Sequence, residues 1–401
     1  MSRLAIDGGT PVRTTPMPGW PCFDDDDLAA ARDVLASGRV NYWTGDEGRG
    51  FEHDLVAAIG STYAVALSNG TVALELALHA LGIGPGDEVV VPAATFIATA
   101  GAVVARGARP VFADIDLGTR CLTAETVAAV LTERTKVVIV VHLAGHPADI
   151  EPVLALAGRH GLAVVEDCAQ AHGARYHQRR VGSLGHIATW SFCQDKIMTT
   201  GGEGGAITTS DERLWRRCWE LKDHGKSWSA VHDTTHVPGF RWLHESFGTN
   251  ARMTEMQAAI GRSQLRKLGR WVKQRRTNAG VLLDALRSQP AVRLPDLVFD
   301  VEPSYYRFCA MVRPELLAPG WTRDRVVAAI EAEGVLCAHG GCAEIYRERA
   351  FRTVVGVPVR LPAAAELGRT SLVLFVHPSL GAADMSDTAD AVTRVLAEAT
   401  R

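Results

Sequence analysis

Short apolar runs without the alternation of a half-exposed strand recur through the first half of the chain. They are Thr62–Leu67, Asp87–Pro92, Pro110–Asp114, Val137–His142, Leu162–Asp167 and Ile187–Phe192. Segments with helical apolar spacing lie between them, at Thr71–Leu81, Thr95–Ala105, Thr123–Leu131 and Ile150–His160. A strand that is apolar on both sides must be covered on both sides. The pattern therefore predicts an α/β fold, a mostly parallel sheet with helices on its two faces. Ligands of such sheets gather at the carboxyl ends of the strands, so the residues found there are the first candidates for chemistry.

The alternation stops near residue 210. Asp211–His224 and Thr254–Leu286 read as helices, the second long and rich in Arg and Lys. Beyond about Gly280 the pattern is that of a smaller α+β unit. It has a strand at Tyr306–Val312, a helix at Thr322–Glu333 and a last helix from Ala383. A chain of 401 residues exceeds one typical core. Two domains are expected, residues 1–280 and 281–401, with the boundary inside the long helix.

Two of the strand ends carry a chemical pair. Ala163-Val-Val-Glu-Asp167 closes one buried strand on a carboxylate. The next strand runs into Ser191-Phe-Cys-Gln-Asp-Lys196 and then a glycine-rich turn ending at Gly205. A lysine to hold an aldehyde as a Schiff base, and an aspartate to keep a pyridine nitrogen protonated, are what a pyridoxal 5′-phosphate (PLP) enzyme needs. Ala66-Leu-Ser-Asn-Gly70-Thr71 is a strand, a tight turn and a helix start. Its amides, the Thr71 hydroxyl and the helix dipole suit a phosphate dianion, although a plain N-cap uses the same residues. Phe96, at the start of the following helix, suits either the core or the face of a flat ring.

Other features read as structural. Asp24-Asp-Asp-Asp27 fits the first turn of a helix better than a cation site. The eight cysteines form no Cys-x-x-Cys pair. Cys337, His339 and Cys342 cluster without a fourth ligand at sensible spacing, so no metal is expected, and Cys193 reads as a small buried apolar residue. A net charge of −3 gives no electrostatic case for nucleic acid or an anionic membrane. An acid interrupts the first residues where a secretory signal needs an apolar stretch, and no apolar run reaches the length of a membrane span. Cytoplasmic residence is the default expectation.

The motifs, taken in order, resemble one family. They are Gly8-Gly-Thr-Pro-Val-Arg13, Trp43-Thr-Gly45 with Phe51-Glu52, Ser68-Asn-Gly-Thr-x-Ala-Leu74 and Gly84-Pro-Gly-Asp-Glu-Val89. Thr95-Phe-Ile-Ala-Thr99, Glu166-Asp-x-Ala-Gln170, Ser191 to Gly205, Asn250-x-Arg-Met-Thr-Glu-Met-Gln-Ala-Ala259 and His377-Pro378 follow. The chain resembles the fold-type I PLP sugar aminotransferases of the DegT/StrS group, nearly end to end. The resemblance implies that Lys196 is the Schiff-base lysine and Asp167 the partner of the pyridine nitrogen. It places Gln170 near the phenolic oxygen and Phe96 on the ring, and gives Gly70, Thr71 and Ser191 to the phosphate cup. Asn250 would reach the phosphate of the other subunit, so a homodimer with shared sites is implied. The implied reaction moves an amino group from L-glutamate or L-glutamine to a keto sugar, a nucleotide-linked keto-hexose first and an inosose-type keto cyclitol second. A dehydratase of the same fold carries histidine at the lysine position, and Lys196 argues against it; a cofactor-binding regulator is the other rival.

Three departures stand out. Two glycines precede Glu203. Cys337-Ala-His-Gly-Gly-Cys-Ala-Glu-Ile-Tyr346 replaces a His-Tyr-Pro loop, and Phe375 replaces a proline. The last two fall on the substrate side.

Overall fold

The computed structural model describes residues 3–296, 300–356 and 359–400. Seven strands form the large sheet: β1 (Tyr63–Leu67), β2 (Glu88–Pro92), β3 (Arg109–Ala113), β4 (Thr135–Val141), β5 (Ala163–Asp167), β6 (Ile187–Ser191) and β7 (Gly205–Thr209). Their order is β1-β7-β6-β5-β4-β2-β3. The pairs from β6 to β3 are parallel, while β7 runs antiparallel to both β1 and β6. The α/β architecture read from the sequence is therefore the observed one. β7 was not among the expected strands, because Gly205-Ala-Ile-Thr-Thr209 carries too weak an apolar signal after a glycine-rich turn.

The period of two along each strand sorts its side chains between two cores. Ala64 and Ala66 of β1 and Val138 and Val140 of β4 face one core, which contains Phe51, Leu55, Ile150, Val153 and Trp271. Val65, Leu67, Val137 and Ile139 face the other, which contains Leu74, Leu76, Val103, Leu214 and Cys218. The first face is covered by α2 (Glu47–Ile59), α6 (Ile150–His160) and α8 (Glu255–Leu286). The second is covered by α3 (Gly70–Ala80), α4 (Ile97–Ala105) and α7 (Glu212–Lys222).

Helix ends follow local chemistry. Asp24 caps α1 (Asp25–Ser37), taking the Asp27 amide while the Asp27 carboxylate takes the Asp24 amide, as the acidic run predicts. Thr254 and Gln257 cap α8 in the same reciprocal way. Helix α4 starts at Ile97 rather than Thr95, because Phe96 holds an extended backbone and the Thr95 hydroxyl meets that of Thr99 at 2.8 Å. Helix α5 (Ala124–Ala128) stops short of Leu131, where the Val130 amide turns to the Val127 carbonyl.

The C-terminal unit is a four-stranded antiparallel sheet, β8 (Val292–Arg293), β9 (Phe308–Val312), β10 (Cys337–His339) and β11 (Ser371–Leu374), in the order β8-β9-β11-β10. Helices α9 (Arg323–Ala332) and α10 (Ala382–Ala399) pack on it. Helix α8 serves both units: Ala258, Leu268 and Trp271 lie in the core of the large sheet, and Ala279, Leu282 and Leu286 in that of the small one. Leu4 also sits in the small core. No helix among the described residues is long and apolar enough to cross a membrane.

Candidate active site

The carboxyl ends of β4, β5 and β6 open into a cavity of about 1160 Å³, closed on the other side by Tyr306, Arg307, His339 and Phe375 of the small unit. Gly70, Thr71, Phe96, Asp167, Gln170, Ser191 and Lys196 all line it. Residues far apart in the chain are thus brought to one space by the parallel strand order.

Lys196 follows β6 in a turn whose shape depends on glycine: φ is +89° at Gly201 and +130° at Gly202. The turn is tied down by the Thr199 hydroxyl on the Phe192 carbonyl at 2.9 Å and by the Trp20 indole N–H on the Lys196 carbonyl at 2.8 Å. The lysine ammonium lies 5.0 Å from the Tyr306 ring centre and 3.8 Å from Asp195. Asp195 is itself held by the Tyr306 hydroxyl and the Arg307 guanidinium.

Asp167 ends β5 and is buried. Its carboxylate accepts from the Thr99 hydroxyl at 2.9 Å and the Ala169 amide at 3.1 Å. Burial pushes its pKa above the usual carboxylate range, against those two bonds and the nearby positive charge of Lys196. A cationic N–H arriving in the cavity would meet a preformed, desolvated acceptor. Behind it, Glu166 is fully buried and accepts from the Gly182, Leu184 and Gly185 amides and from His142 Nε2. Burial opposes its charge, yet His142 and the amides hold its pKa below the usual range. His142 Nδ1 accepts from the Ala148 amide, which places the ring proton on Nε2. His142, Glu166 and Cys168 lie close enough to hold a metal ion, but the four bonds to Glu166 use its lone-pair sites, so the group reads as a hydrogen-bond network.

The opposite end of the cavity is built from α3. Asn69 caps it by accepting the Val72 amide at 2.9 Å. The Gly70 and Thr71 amides, at the first two helical positions, have no carbonyl within the helix to reach. A Cβ on Gly70 would lie 2.7 Å from Ser191 Cβ, and one on Gly205 would lie 2.3 Å from the Asn69 carbonyl. Only glycines let β6, β7 and the helix start converge there. Gln170 accepts the Ala144 amide at 2.7 Å through its oxygen, which orients its amide group. Phe96 is 66 % exposed at the cavity edge, so it is not a core residue.

Asn250 is the exception. It is exposed, lies opposite Asp223 in a lone bridge, and does not line the cavity of its own chain. Cys193 differs from its expected place: it is only partly buried, lines the cavity, and has its sulfur 3.8 Å from a Glu203 oxygen. Both substrate-side departures also meet the cavity, through His339, Gly340, Gly341, Cys342 and Phe375. Arg120, Tyr306 and Arg307 line it too, and no motif in the sequence marked them.

Fold and site together define an enzyme of the α/β transferase class. The profile of the DegT/DnrJ/EryC1/StrS aminotransferase family matches residues 21–393. The L-glutamine:2-deoxy-scyllo-inosose aminotransferase of Streptomyces kanamyceticus is 38% identical, over 98% of this chain and 97% of the relative. The dTDP-3-amino-3,4,6-trideoxy-alpha-D-glucose transaminase of Streptomyces venezuelae is 38% identical over 88% of this chain and 87% of the relative. The crystal structure of an aminotransferase from Psychrobacter cryohalolentis is 49% identical and superposes with a TM-score of 0.94, covering 96% of this chain and 100% of that one. The chain belongs to the DegT/DnrJ/EryC1/StrS aminotransferase family and is an aminotransferase.

Proposed function

We propose that the cavity holds PLP and transfers an amino group from L-glutamate or L-glutamine to a ketone of a nucleotide-linked keto-hexose. The observation that carries this reading is the convergence of Lys196, the buried Asp167 carboxylate and the free amides of α3 on one cavity. The three suit an aldehyde, a pyridinium N–H and a phosphate respectively. When bound, PLP supplies an aldehyde for amine exchange and an electron-withdrawing ring.

The protein's residues then have separate tasks. Lys196 Nζ would hold the aldehyde, and as a free amine it would move a proton to and from the substrate carbon that carries nitrogen. Asp167 keeps the ring nitrogen protonated, which its burial and its two fixed hydrogen bonds equip it to do. Gly70, Thr71 and Ser191 would hold the phosphate, Gln170 would serve the phenolic oxygen and Phe96 would cover the ring. Asn250 serves the partner's phosphate in a homodimer. Its exposure supports this, as do Val237, Phe240, Trp242 and Phe247 just before it, each at least 80 % exposed.

A keto cyclitol is the second acceptor, favoured by the relative named for 2-deoxy-scyllo-inosose, which is matched nearly end to end. The test is mass spectrometry of products after offering L-glutamate or L-glutamine with a panel of keto sugars and inososes. An aminated keto-hexose nucleotide is expected; amination of the inosose alone would move the assignment to the cyclitol. No donor-dependent product with any acceptor would reject the proposal.

A further inference from the structure

The chemistry above leaves one guanidinium on the cavity wall unused. Arg120 lies in the turn between β3 and α5 with φ at +65°, a left-handed backbone that side chains other than glycine rarely adopt. The turn is locked. The Arg120 amide donates to the Asp116 carbonyl at 2.6 Å and the Asp116 amide to the Cys121 carbonyl at 3.0 Å. Asp116 Oδ1 accepts from the Thr119 amide at 2.7 Å and the Thr119 hydroxyl at 3.0 Å. The Arg120 side chain is only 5 % exposed, it lines the cavity, and its Nε and Nη1 are buried with no partner among the described residues. Arg307, which also lines the cavity, is instead paired with Asp195 at 3.7 Å and stacked on the Tyr306 and Phe375 rings.

A buried cation without a counter-charge is costly. A locked, strained turn that holds it in place points to an anion supplied from outside the chain. The cofactor's phosphate is not that anion. The cup at the start of α3 follows β1, whereas Arg120 follows β3, and β1 and β3 are the two edges of the seven-stranded sheet. Asp167 and Lys196 follow β5 and β6, between those edges. An anion at Arg120 therefore sits across the reacting centre from the phosphate. The planar, multiply donating guanidinium matches a carboxylate.

We propose that Arg120 recognises a carboxylate on a molecule undergoing amino transfer, carried by the amino donor or by an acid-bearing acceptor. The assignment rests on the aminotransferase reading for the identity of that molecule. The test uses PLP-loaded wild type, Arg120→Met and Arg120→Lys. Calorimetric titration with 2-oxoglutarate should show binding weakened about 10- to 100-fold in Arg120→Met, with part of the loss recovered in Arg120→Lys. Binding of neutral 2-deoxy-scyllo-inosose to the aminated enzyme should be unchanged. The ligand-free Arg120→Met protein should unfold at the wild-type temperature or above, because the Nε and Nη1 it loses have no partner among the described residues.

If 2-oxoglutarate binds the variant normally and a nucleotide-linked keto-hexuronate does not, the carboxylate belongs to the acceptor. If both acids bind Arg120→Met as they bind wild type, the proposal is overturned. A structural role would also overturn it, and would show as a lowered unfolding temperature together with loss of inosose binding. If the wild type transfers no amino group but binds 2-oxoglutarate through Arg120, the function fails while the carboxylate site stands.

Discussion

At the scale of single residues, what matters is how little freedom the reactive groups have. Asp167 has one oxygen on Thr99 and one on the Ala169 amide, and Thr99 is braced in turn by Thr95. A carboxylate fixed in this way needs no reorganisation to stabilise a positive ring nitrogen, and electrostatic preorganisation of this kind is commonly worth about 3–4 kcal/mol of barrier. Asp167→Ala should therefore keep the fold and lose about 10²–10³-fold in turnover. Circular dichroism and steady-state transamination check the two halves of that statement, and wild-type-like turnover would show that another group partners the ring. Lys196 is expected to carry the cofactor. Borohydride reduction of the yellow protein should fix the adduct on the peptide containing Lys196, and an adduct on any other lysine would reject the assignment.

At the scale of elements, the site depends on how closely β7 and the start of α3 approach. Gly205 packs against the Asn69–Gly70 backbone, so a methyl group there must move the helix terminus or the strand. Overpacking of this kind costs about 1–3 kcal/mol. Gly205→Ala should lower thermal stability and, because the displaced amides are those proposed to hold the phosphate, weaken cofactor retention as well. Fluorescence-monitored unfolding and equilibrium dialysis against PLP measure both, and a variant that is less stable but retains PLP normally would separate the packing from the cup.

At the scale of the whole molecule, two buried histidines set a limit on acid stability. Burial pushes the pKa of His146, and likewise that of His172, down from 6.5 to about 3. Both stay neutral in the folded protein at pH 5, whereas in the unfolded chain they take up protons. Their contribution is complete above pH 6.5 and is lost as the pH falls towards about 3. Each should remove roughly 1.4 kcal/mol of stability per pH unit over that interval. Calorimetric unfolding near pH 5 should show the uptake of about three protons in excess of that expected from the carboxylates, because burial also lowers the pKa of His377, to about 4. Replacing His146 and His172 by glutamine should remove about two of the three, and an unchanged uptake would show that they are not its source.

The proposed shared site makes a second prediction at this scale. Mixing Lys196→Ala with a severely impaired Asn250 variant should restore some activity, since one site of the hybrid dimer carries neither defect. If subunit exchange is confirmed and no activity returns, each subunit works alone.

Much of this molecule was written into local sequence. The parallel sheet was legible because strands buried on both faces must be apolar at successive positions. Lys196 and Asp167 were legible because a charged residue at the end of such a strand has few structural reasons to be there. Helix starts at Asp24 and Thr254 were legible from capping chemistry, which spans only a few residues. Tertiary structure decided the rest. β7 became a strand because β1 and β6 offered it partners on both sides, not because of its own apolar content. Phe96 is exposed because the cavity opens beneath it, and Cys193 is only partly buried for the same reason. Arg120 was invisible in the sequence, since what distinguishes it is a buried guanidinium whose Nε and Nη1 find no partner among the described residues. That is a property of every element packed near it, and no local stretch of residues encodes it.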